Sequence, residues 1–493
     1  MIGANLPALQ IIVPLCAAPL CLLIRRGTWA WALSTVTAWC ALAISWTLLG
    51  EVQATGPILY KLGGFDPPWG ISYNIDVVNA YVMLIVTGVA SVVFPFARRS
   101  VEDEIPASKH HLFYAALLLC FTGLLGMVIT GDAFNVFVFL EIASLSTYAL
   151  VSMGRDKRAL TSAYQYLMMG ATGGTFYLIG VGLLYSLTGS LNIADLSEKL
   201  GEMETNRTTI AAFCFLATGL GLKLAVFPLH SWLPNAYTFA PSVVTAFVAA
   251  TFTKVSFYLL ARMTFTLMGP DLSFEQFYLD DLLLPLAIVG IFMGSIVAIF
   301  QTNLKRMLAY SSVAQIGYMV LGLSLLNVTA LTGALVHLFN HALMKGGLFM
   351  VMACVMLRLG SVHIDAFRGL GRRMPFTMAA FVVGGLSLIG VPLTVGFVSK
   401  WYLVLGALEA GLWPVAVAAL LSSLLAVVYI WRVVEVAYFE DAPEDAEPVE
   451  EAPLSMLVPT WIMIGATLYF GIFTDTPAGV AAEAAKALMG GGA

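Results

Sequence analysis

Charge is scarce in this chain: 11% of its 493 residues are Asp, Glu, Lys or Arg, against 60% hydrophobic, and the mean hydropathy is +0.89. That composition cannot furnish a polar surface, which excludes a water-soluble enzyme and leaves a polytopic membrane protein. Cysteine is no better placed for ligation. Cys16, Cys21, Cys40, Cys120, Cys214 and Cys354 lie in apolar runs without a C-x-x-C pair and read as buried small hydrophobes, so no zinc, haem or iron–sulfur site is expected. No glycine fingerprint follows a strand; no bound cofactor, metal or nucleic acid is expected. No polar stretch is long enough for a separate soluble domain, and no small-residue cleavage site precedes Arg25-Arg26, so the first apolar run reads as a retained span.

What is abundant is apolar sequence in runs of roughly 20 residues, one bilayer crossing each. Fourteen such runs start near Leu6, Trp29, Asp76, Leu112, Ala133, Ser162, Ile210, Pro241, Asp281, Met307, Leu331, Phe376, Trp413 and Met456. The expected fold is therefore an all-α membrane bundle. With the N-terminus outside, fourteen Lys and Arg residues fall in cytoplasmic loops, among them Arg98, Arg99, Arg155, Lys305, Arg306, Arg372 and Arg373. Only Lys61, Lys199, Arg207 and Lys486 fall on the opposite side. This positive-inside bias puts both termini outward. The acidic stretch Glu440 to Glu451 then lies inside.

Six basic residues remain within spans: Lys223, Lys254, Arg262, Lys345, Lys400 and Arg432. On the insertion scale the four lysines together cost roughly 10 to 14 kcal/mol at mid-membrane, which demands interior, hydrated or paired sites. Glu141 sits about a dozen residues before Gly154-Arg155, near the membrane middle at 1.5 Å per residue. A carboxylate beside a lysine can toggle as a proton leaves; the plain alternative is an ion pair kept for packing. Lys223 precedes Pro228, Pro234 and Pro241, and Pro392 precedes Lys400. Proline frees a carbonyl one turn earlier, and two such interrupted spans in similar places of two halves point to ion sites. His337, His341 and Lys345 fall at i, i+4 and i+8 and line one helix face, where histidine can relay protons. His230, beside the proline break, is a candidate entry point. Arg262, Arg432 and Glu435 lie near span ends and read as snorkelling residues. Asp76 and Asp132 read as N-caps, and the LNIADLSEKL segment as an amphipathic surface helix.

Spans four to eight and nine to thirteen each hold five crossings, so the second block is expected to run upside down relative to the first. This gives four regions: 1–111 with three helices, 112–268 and 281–438 as two inverted five-helix bundles, and 439–493 with the acidic loop and last helix.

The motifs GDAFNVFVFLE, GLKLAVFPLHSWLPNAY, TKVSFYLLAR, LKRMLAYSSVAQIGYM, HLFNHALMKGGLF and GVPLTVGFVSKW, in that order, resemble the antiporter-like subunits shared by respiratory complex I and the Mrp-type multisubunit cation/proton antiporters. The resemblance covers nearly the whole chain. It implies fourteen helices, two inverted five-helix repeats and broken seventh and twelfth helices. Its implied functional residues fall on Glu141, Lys223, Lys254 and Lys400, with His337, His341 and Lys345 near the connecting path. Within the family, GDAFNVFVFLEI and SLNIADLS look most like the D-type component of Mrp antiporters, and no long lateral helix follows the last span. The expected function is a secondary-transport subunit in a bacterial inner membrane, carrying protons, coupled to sodium or another monovalent cation, beside other membrane subunits and the lipid bilayer. The alternatives are a proton-pumping arm of an NADH:quinone oxidoreductase or membrane-bound hydrogenase, and a coupling subunit of inorganic-carbon uptake. Carboxylates do not cluster into a hard-oxygen cage for sodium.

Overall fold

The computed structural model describes residues 5–444 and 448–490, so 1–4, 445–447 of the acidic loop and 491–493 lie outside it. The first helices are α1 (Leu6–Ile24), α2 (Gly27–Thr55), α3 (Val77–Glu104), α4 (His110–Ile129), α5 (Ala133–Ser152), α6 (Arg158–Thr188), the short amphipathic α7 (Ile193–Glu202), α8 (Arg207–Leu224), α9 (Trp232–Phe239) and α10 (Ser242–Ala261). The chain continues through α11 (Leu279–Ile299), α12 (Leu304–Ser324), α13 (Val328–Leu359), α14 (Leu370–Arg373), α15 (Pro375–Ile389), α16 (Val395–Glu409), α17 (Trp413–Tyr438), α18 (Leu454–Ile472) and α19 (Asp475–Leu488). Among the described residues, thirteen helices are long and apolar enough to cross a membrane. The fourteenth crossing is shared by α15 and α16. Helices are what this composition permits, because backbone groups in hydrocarbon must be satisfied within the segment.

The helices sort by what surrounds them. Every residue of α10 is buried, as expected of a helix that is apolar all round, and α12 and α13 are buried nearly throughout. At the periphery, Leu23, Leu160, Tyr164, Leu282, Leu424 and Ile462 point outward from α1, α6, α11, α17 and α18, presenting apolar side chains to lipid. Asp76, Asp132, Asn192, Asn206, Asn303 and Asn327 each accept amide hydrogen bonds at a helix start, so the N-cap reading of the two aspartates holds.

An internal repeat is written into the loops. Asp132 bridges to Asn192, with Ala133 N–H donating to Leu191 O at 2.8 Å and Ile193 N–H to Gly131 O at 2.9 Å. Asn303 bridges to His363 in the same way, with Leu304 N–H donating to Val362 O at 2.9 Å and Ile364 N–H to Thr302 O at 2.8 Å. The two bridges stand 171 residues apart, 132 to 303 and 192 to 363. At the same interval, Gly189 and Gly360 close α6 and α13 with φ of 68° and 65°. The sequences after those glycines, SLNIAD and SVHIDA, align at that interval. The first bridge lies beside the hairpin described below, whereas the second lies at the end holding Arg155, Arg158 and Lys305. One motif at opposite ends is an inverted repeat.

Both interrupted crossings break in the same manner. Helix α8 ends before Ala225 (φ 62°), where Ala225 N–H donates to Leu222 O and Val226 N–H to Gly221 O. Helix α15 ends before Gly390 (φ 91°), where Gly390 N–H donates to Ser387 O and Val391 N–H to Leu386 O. Each is a left-handed C-cap of Schellman type, and Pro228 and Pro392 follow it. The proline therefore prevents resumption of the helix, and the left-handed residue makes the turn. Glycine carries that conformation freely; Ala225 bears its cost.

Several residues lie elsewhere than the sequence suggests. Between α2 and α3 the chain forms an antiparallel hairpin, β1 (Ile58–Lys61) with β2 (Ser72–Ile75), Tyr60 opposite Tyr73. The hydropathy of the spans on either side masks its short ILYK and SYNI alternation. Cys21, Cys120 and Cys354 are buried, but Cys16, Cys40 and Cys214 are exposed on outward helix faces, so burial describes three of the six. Lys305 is not a loop residue: it is buried in the first turn of α12 and donates to Ala240 O at 3.2 Å. Arg262 does not snorkel but pairs with Asp76 and donates to Tyr258 Oη at 3.1 Å. Arg432 donates to Ile299 O at 2.8 Å and Gln301 O at 3.1 Å, closing the end of α11.

Candidate functional site

Lys223 occupies the last turn of α8, where the free carbonyls and the helix dipole favour a cation. Its ammonium is buried and lies 3.5 Å from Glu141 Oε1 on α5, whose side chain is 24% exposed. It also donates to Ser144 Oγ at 2.8 Å and approaches Tyr148 Oη at 3.5 Å. Glu141, Ser144 and Tyr148 recur at i, i+3 and i+7, so one face of α5 receives the lysine. Helix α6 makes room for that face with glycine. A Cβ on Gly170 would meet Tyr148 Oη at 1.9 Å, and one on Gly174 would meet Glu141 Oε1 at 2.3 Å. The Trp232 indole bridges the break, donating to Leu222 O at 2.9 Å.

Between this pair and the middle of the molecule stand tyrosines. The Tyr148 ring contacts Tyr166 edge-on at 4.6 Å, and Tyr166 stacks on Trp232 at 4.1 Å. The hydroxyls of Tyr166 and Tyr237 are buried without a hydrogen-bond partner among the described residues, and Tyr237 faces Thr253. Thr253 Oγ1 accepts from Lys254 Nζ at 3.3 Å, and Lys254 also donates to Ala249 O.

Lys254 faces the α13 stripe. It lies within Coulombic reach of His337, His341 and Lys345. His337 and His341 stack with ring centroids 5.9 Å apart. Lys345 donates to Leu308 O at 2.8 Å and to Ser311 Oγ. Neither ring nitrogen of His341 has a partner among the described residues; a buried imidazole so placed ordinarily takes water. His337 Nδ1 lies 2.9 Å from Ser399 Oγ on α16, and the His337 ring is 5.7 Å from that of Tyr318.

Lys400, on α16, reaches back across the second break. It donates to Ile389 O at 2.7 Å, to Leu388 O at 3.3 Å and to Ser423 Oγ at 2.9 Å, with its ammonium 5.1 Å above the Tyr318 ring. Like Lys223, it places its ammonium at the carbonyl end of the first half-helix, which favours a cation.

Seven of the eight expected residues thus fall into two contact groups, Glu141 with Lys223 and His337 with His341 and Lys400, with Lys254 and Lys345 within Coulombic reach of the histidines. His230 joins neither: its ring packs on Phe227 at 5.2 Å and on Tyr310 at 6.5 Å. Ser144, Tyr148, Tyr166, Tyr237, Tyr318, Ser399 and Ser423 complete the groups. Ser144 and Tyr148 were not singled out in the sequence, although their i+3 and i+7 spacing behind Glu141 is the signal that would have found them. The others come from helices whose register only the packing fixes. Among the described residues no group of His, Cys, Asp and Glu is arranged to hold a metal ion.

Residues 130–426 match the family described as NADH:quinone oxidoreductase/Mrp antiporter, transmembrane. The chain belongs to this family. Its antiporter-like relatives are of two kinds. It is 43% identical to an NADH-quinone oxidoreductase subunit, the N-type one, of Desulforudis audaxviator, covering 96% of each chain. It is 28% identical to an Na(+)/H(+) antiporter subunit, the D-type one, of Bacillus subtilis, covering 98% of this chain and 97% of the other. A chain of the Mrp complex from Dietzia sp. DQ12-45-1b shares the fold, with a TM-score of 0.91 over 99% of this chain and 98% of the other at 23% identity. The chain is a multi-span membrane subunit of this proton-translocating superfamily.

Proposed function

We propose that the chain carries protons through a relay running from Glu141 and Lys223 through Lys254, His341, Lys345 and His337 to Lys400, as one membrane subunit of a larger complex. One observation carries this reading: the ammonium of Lys223 sits buried at a broken helix with its carboxylate partner at 3.5 Å rather than in a tight hydrogen bond. At about 4 Å and an effective dielectric near 20 such a pair attracts by roughly 4 kcal/mol, less here because Glu141 is partly exposed. Loss of a proton from Lys223 removes that attraction and leaves the carboxylate as the new acceptor. Lys254 and the α13 stripe then supply donors and acceptors toward Lys400. The division into regions 112–268 and 281–438 follows from the same reading, and the basic loops support the cytoplasm as the side of Arg155 and Arg372.

The identity of 43% to a quinone oxidoreductase subunit, against 28% to an antiporter subunit, favours a redox-driven complex as the assembly. Sodium/proton exchange is the second reading, favoured by the 28% likeness to the Bacillus subtilis antiporter protein extending over 98% of the chain. In membrane vesicles holding the assembled complex, Lys223→Ala should abolish proton translocation; a full rate would contradict the relay. Co-purification of flavin or iron–sulfur proteins, with translocation indifferent to sodium, is the expected result for assembly. Small membrane subunits alone, with sodium-dependent exchange, would favour the second reading.

A further inference from the structure

At the end of the bundle where the basic loops gather, two polar cavities of about 470 and 370 Å³ meet at one carboxylate, Glu104, the last residue of α3. The first cavity is walled by Asp103, Lys109 and Ser152, at the end of α5. The second is walled by Thr238, at the end of α9, and by Asn303 and Lys305. Arg155, paired with Asp103 at 3.4 Å, borders both. Glu104 is itself buried, 8% exposed. Its carboxylate accepts from Ser100 Oγ at 2.9 Å and from the Ser242 amide at 3.0 and 2.9 Å. The buried ammonium of Lys305 lies within Coulombic reach.

A structural role explains part of this. Glu104 caps the first turn of α10 from a helix 138 residues away in sequence. A cap, however, is ordinarily supplied by the residue preceding the helix, and a carboxylate brought into the interior for that purpose alone carries a large desolvation cost. The cap also does not account for the position between two cavities roomy enough for water. Their far walls matter here: one reaches the end of α5, which carries Glu141, and the other reaches Thr238, beside Tyr237 and hence the Thr253–Lys254 pair.

We infer that Glu104 is the collecting carboxylate of the relay, taking protons from water in these two cavities and releasing them toward the Glu141 and Lys254 helices. The step is a proton transfer only: a water-borne proton binds a carboxylate oxygen, then leaves to the next acceptor, and the carboxylate is regenerated. The inference rests on the relay proposed above.

The test measures proton translocation by the assembled complex in vesicles. Glu104→Gln, which keeps an acceptor oxygen for the Ser242 amide, should lower translocation at least about tenfold, whereas Glu104→Asp, which keeps a carboxylate, should restore a substantial part of the rate. Glu104→Gln running at the wild-type rate would overturn the inference, while loss of transport in Lys223→Ala would still uphold the relay. A full rate in Lys223→Ala would instead defeat the relay itself. If Glu104→Gln reduced assembly, Ser152→Cys would decide, in a chain whose six native cysteines are replaced by alanine. A membrane-impermeant thiol reagent added from the basic-loop side should label it, and absence of labelling would overturn the inference.

Discussion

The two halves of the repeat hold their broken-helix lysines differently. In the first half Lys223 has a carboxylate, Glu141. In the second, Lys400 has two carbonyls, a serine hydroxyl and the face of a tyrosine, all neutral. The 171-residue interval that relates the two loop bridges carries Glu141 onto Ser312 and Gly174 onto Lys345. Where the first half opens a gap in α6 to admit an acid from α5, the second half keeps serines on α12 and sends an ammonium from α13 to meet them, Lys345 to Ser311. The acid of one half is thus replaced by a base in the other. The charge of Lys223 is compensated locally by Glu141, whereas Lys254, also of the first half, and Lys345 and Lys400 of the second have no carboxylate among their contacts in the described residues. Like charges held so close cannot all be retained cheaply. On this account the first half stores a proton and the second half passes it on.

The largest effect should come from making the first half resemble the second. Glu141→Ala is expected to lower proton translocation at least about tenfold, while Ser312→Ala, at the corresponding place, should change it by less than about twofold; quenching of a pH-sensitive dye in inverted vesicles reads both. Equal losses in the two variants would erase the distinction. The next effect is on stability. Lys223→Ala leaves Glu141 unpartnered, at a cost of about 3 to 5 kcal/mol for a fully buried carboxylate and less for this partly exposed one. Lys400→Ala leaves no charge behind. Thermal unfolding of the purified complex should therefore drop further for Lys223→Ala, and the Lys223→Ala/Glu141→Ala double variant should recover stability without transport. A double variant no more stable than the single would show that the pair is not coupled.

Gly174→Ala should produce a smaller change. Its methyl group would press on Glu141 Oε1, and overpacking of this kind costs about 1 to 3 kcal/mol, seen as a lower melting temperature together with slower transport. Slower transport with unchanged Glu141→Ala behaviour would still fit; a neutral Gly174→Ala would mean that the carboxylate has room to move. His230→Leu should give the smallest effect, within about twofold in rate, as is usual for substitutions outside a functional network. A loss comparable to that of Lys223→Ala would return His230 to the path.

Much of this was legible in the sequence because intramembrane charge is costly enough to stand out. Glu141, the four lysines and the His337–His341–Lys345 register were readable from composition and helical spacing alone. The fourteen crossings followed from hydropathy, and the breaks from Pro228 and Pro392, although the turns are made three and two residues earlier, at Ala225 and Gly390. The neutral partners were not legible: Tyr166, Tyr237, Tyr318, Ser399 and Ser423 are ordinary residues of apolar helices until packing aims them at a lysine. Nor were the pairing of Asp76 with Arg262 and the burial of Glu104 and Lys305. Each depends on contacts between segments distant in sequence, where position near a span end gives no indication of exposure. The repeat lay open in GSLNIAD and GSVHIDA, but a similarity confined to two short loops emerges only when the matching bridges are seen in space.

The central claim is that the two unlike halves form one path. Proton translocation by Lys400→Ala, measured in vesicles with the complex fully assembled, tests it most directly. A single path predicts that this variant falls to background, as Lys223→Ala does, although the two lysines lie in different halves. A rate near half of wild type in each single variant, with loss only when both lysines are replaced, would show two parallel paths and contradict the account.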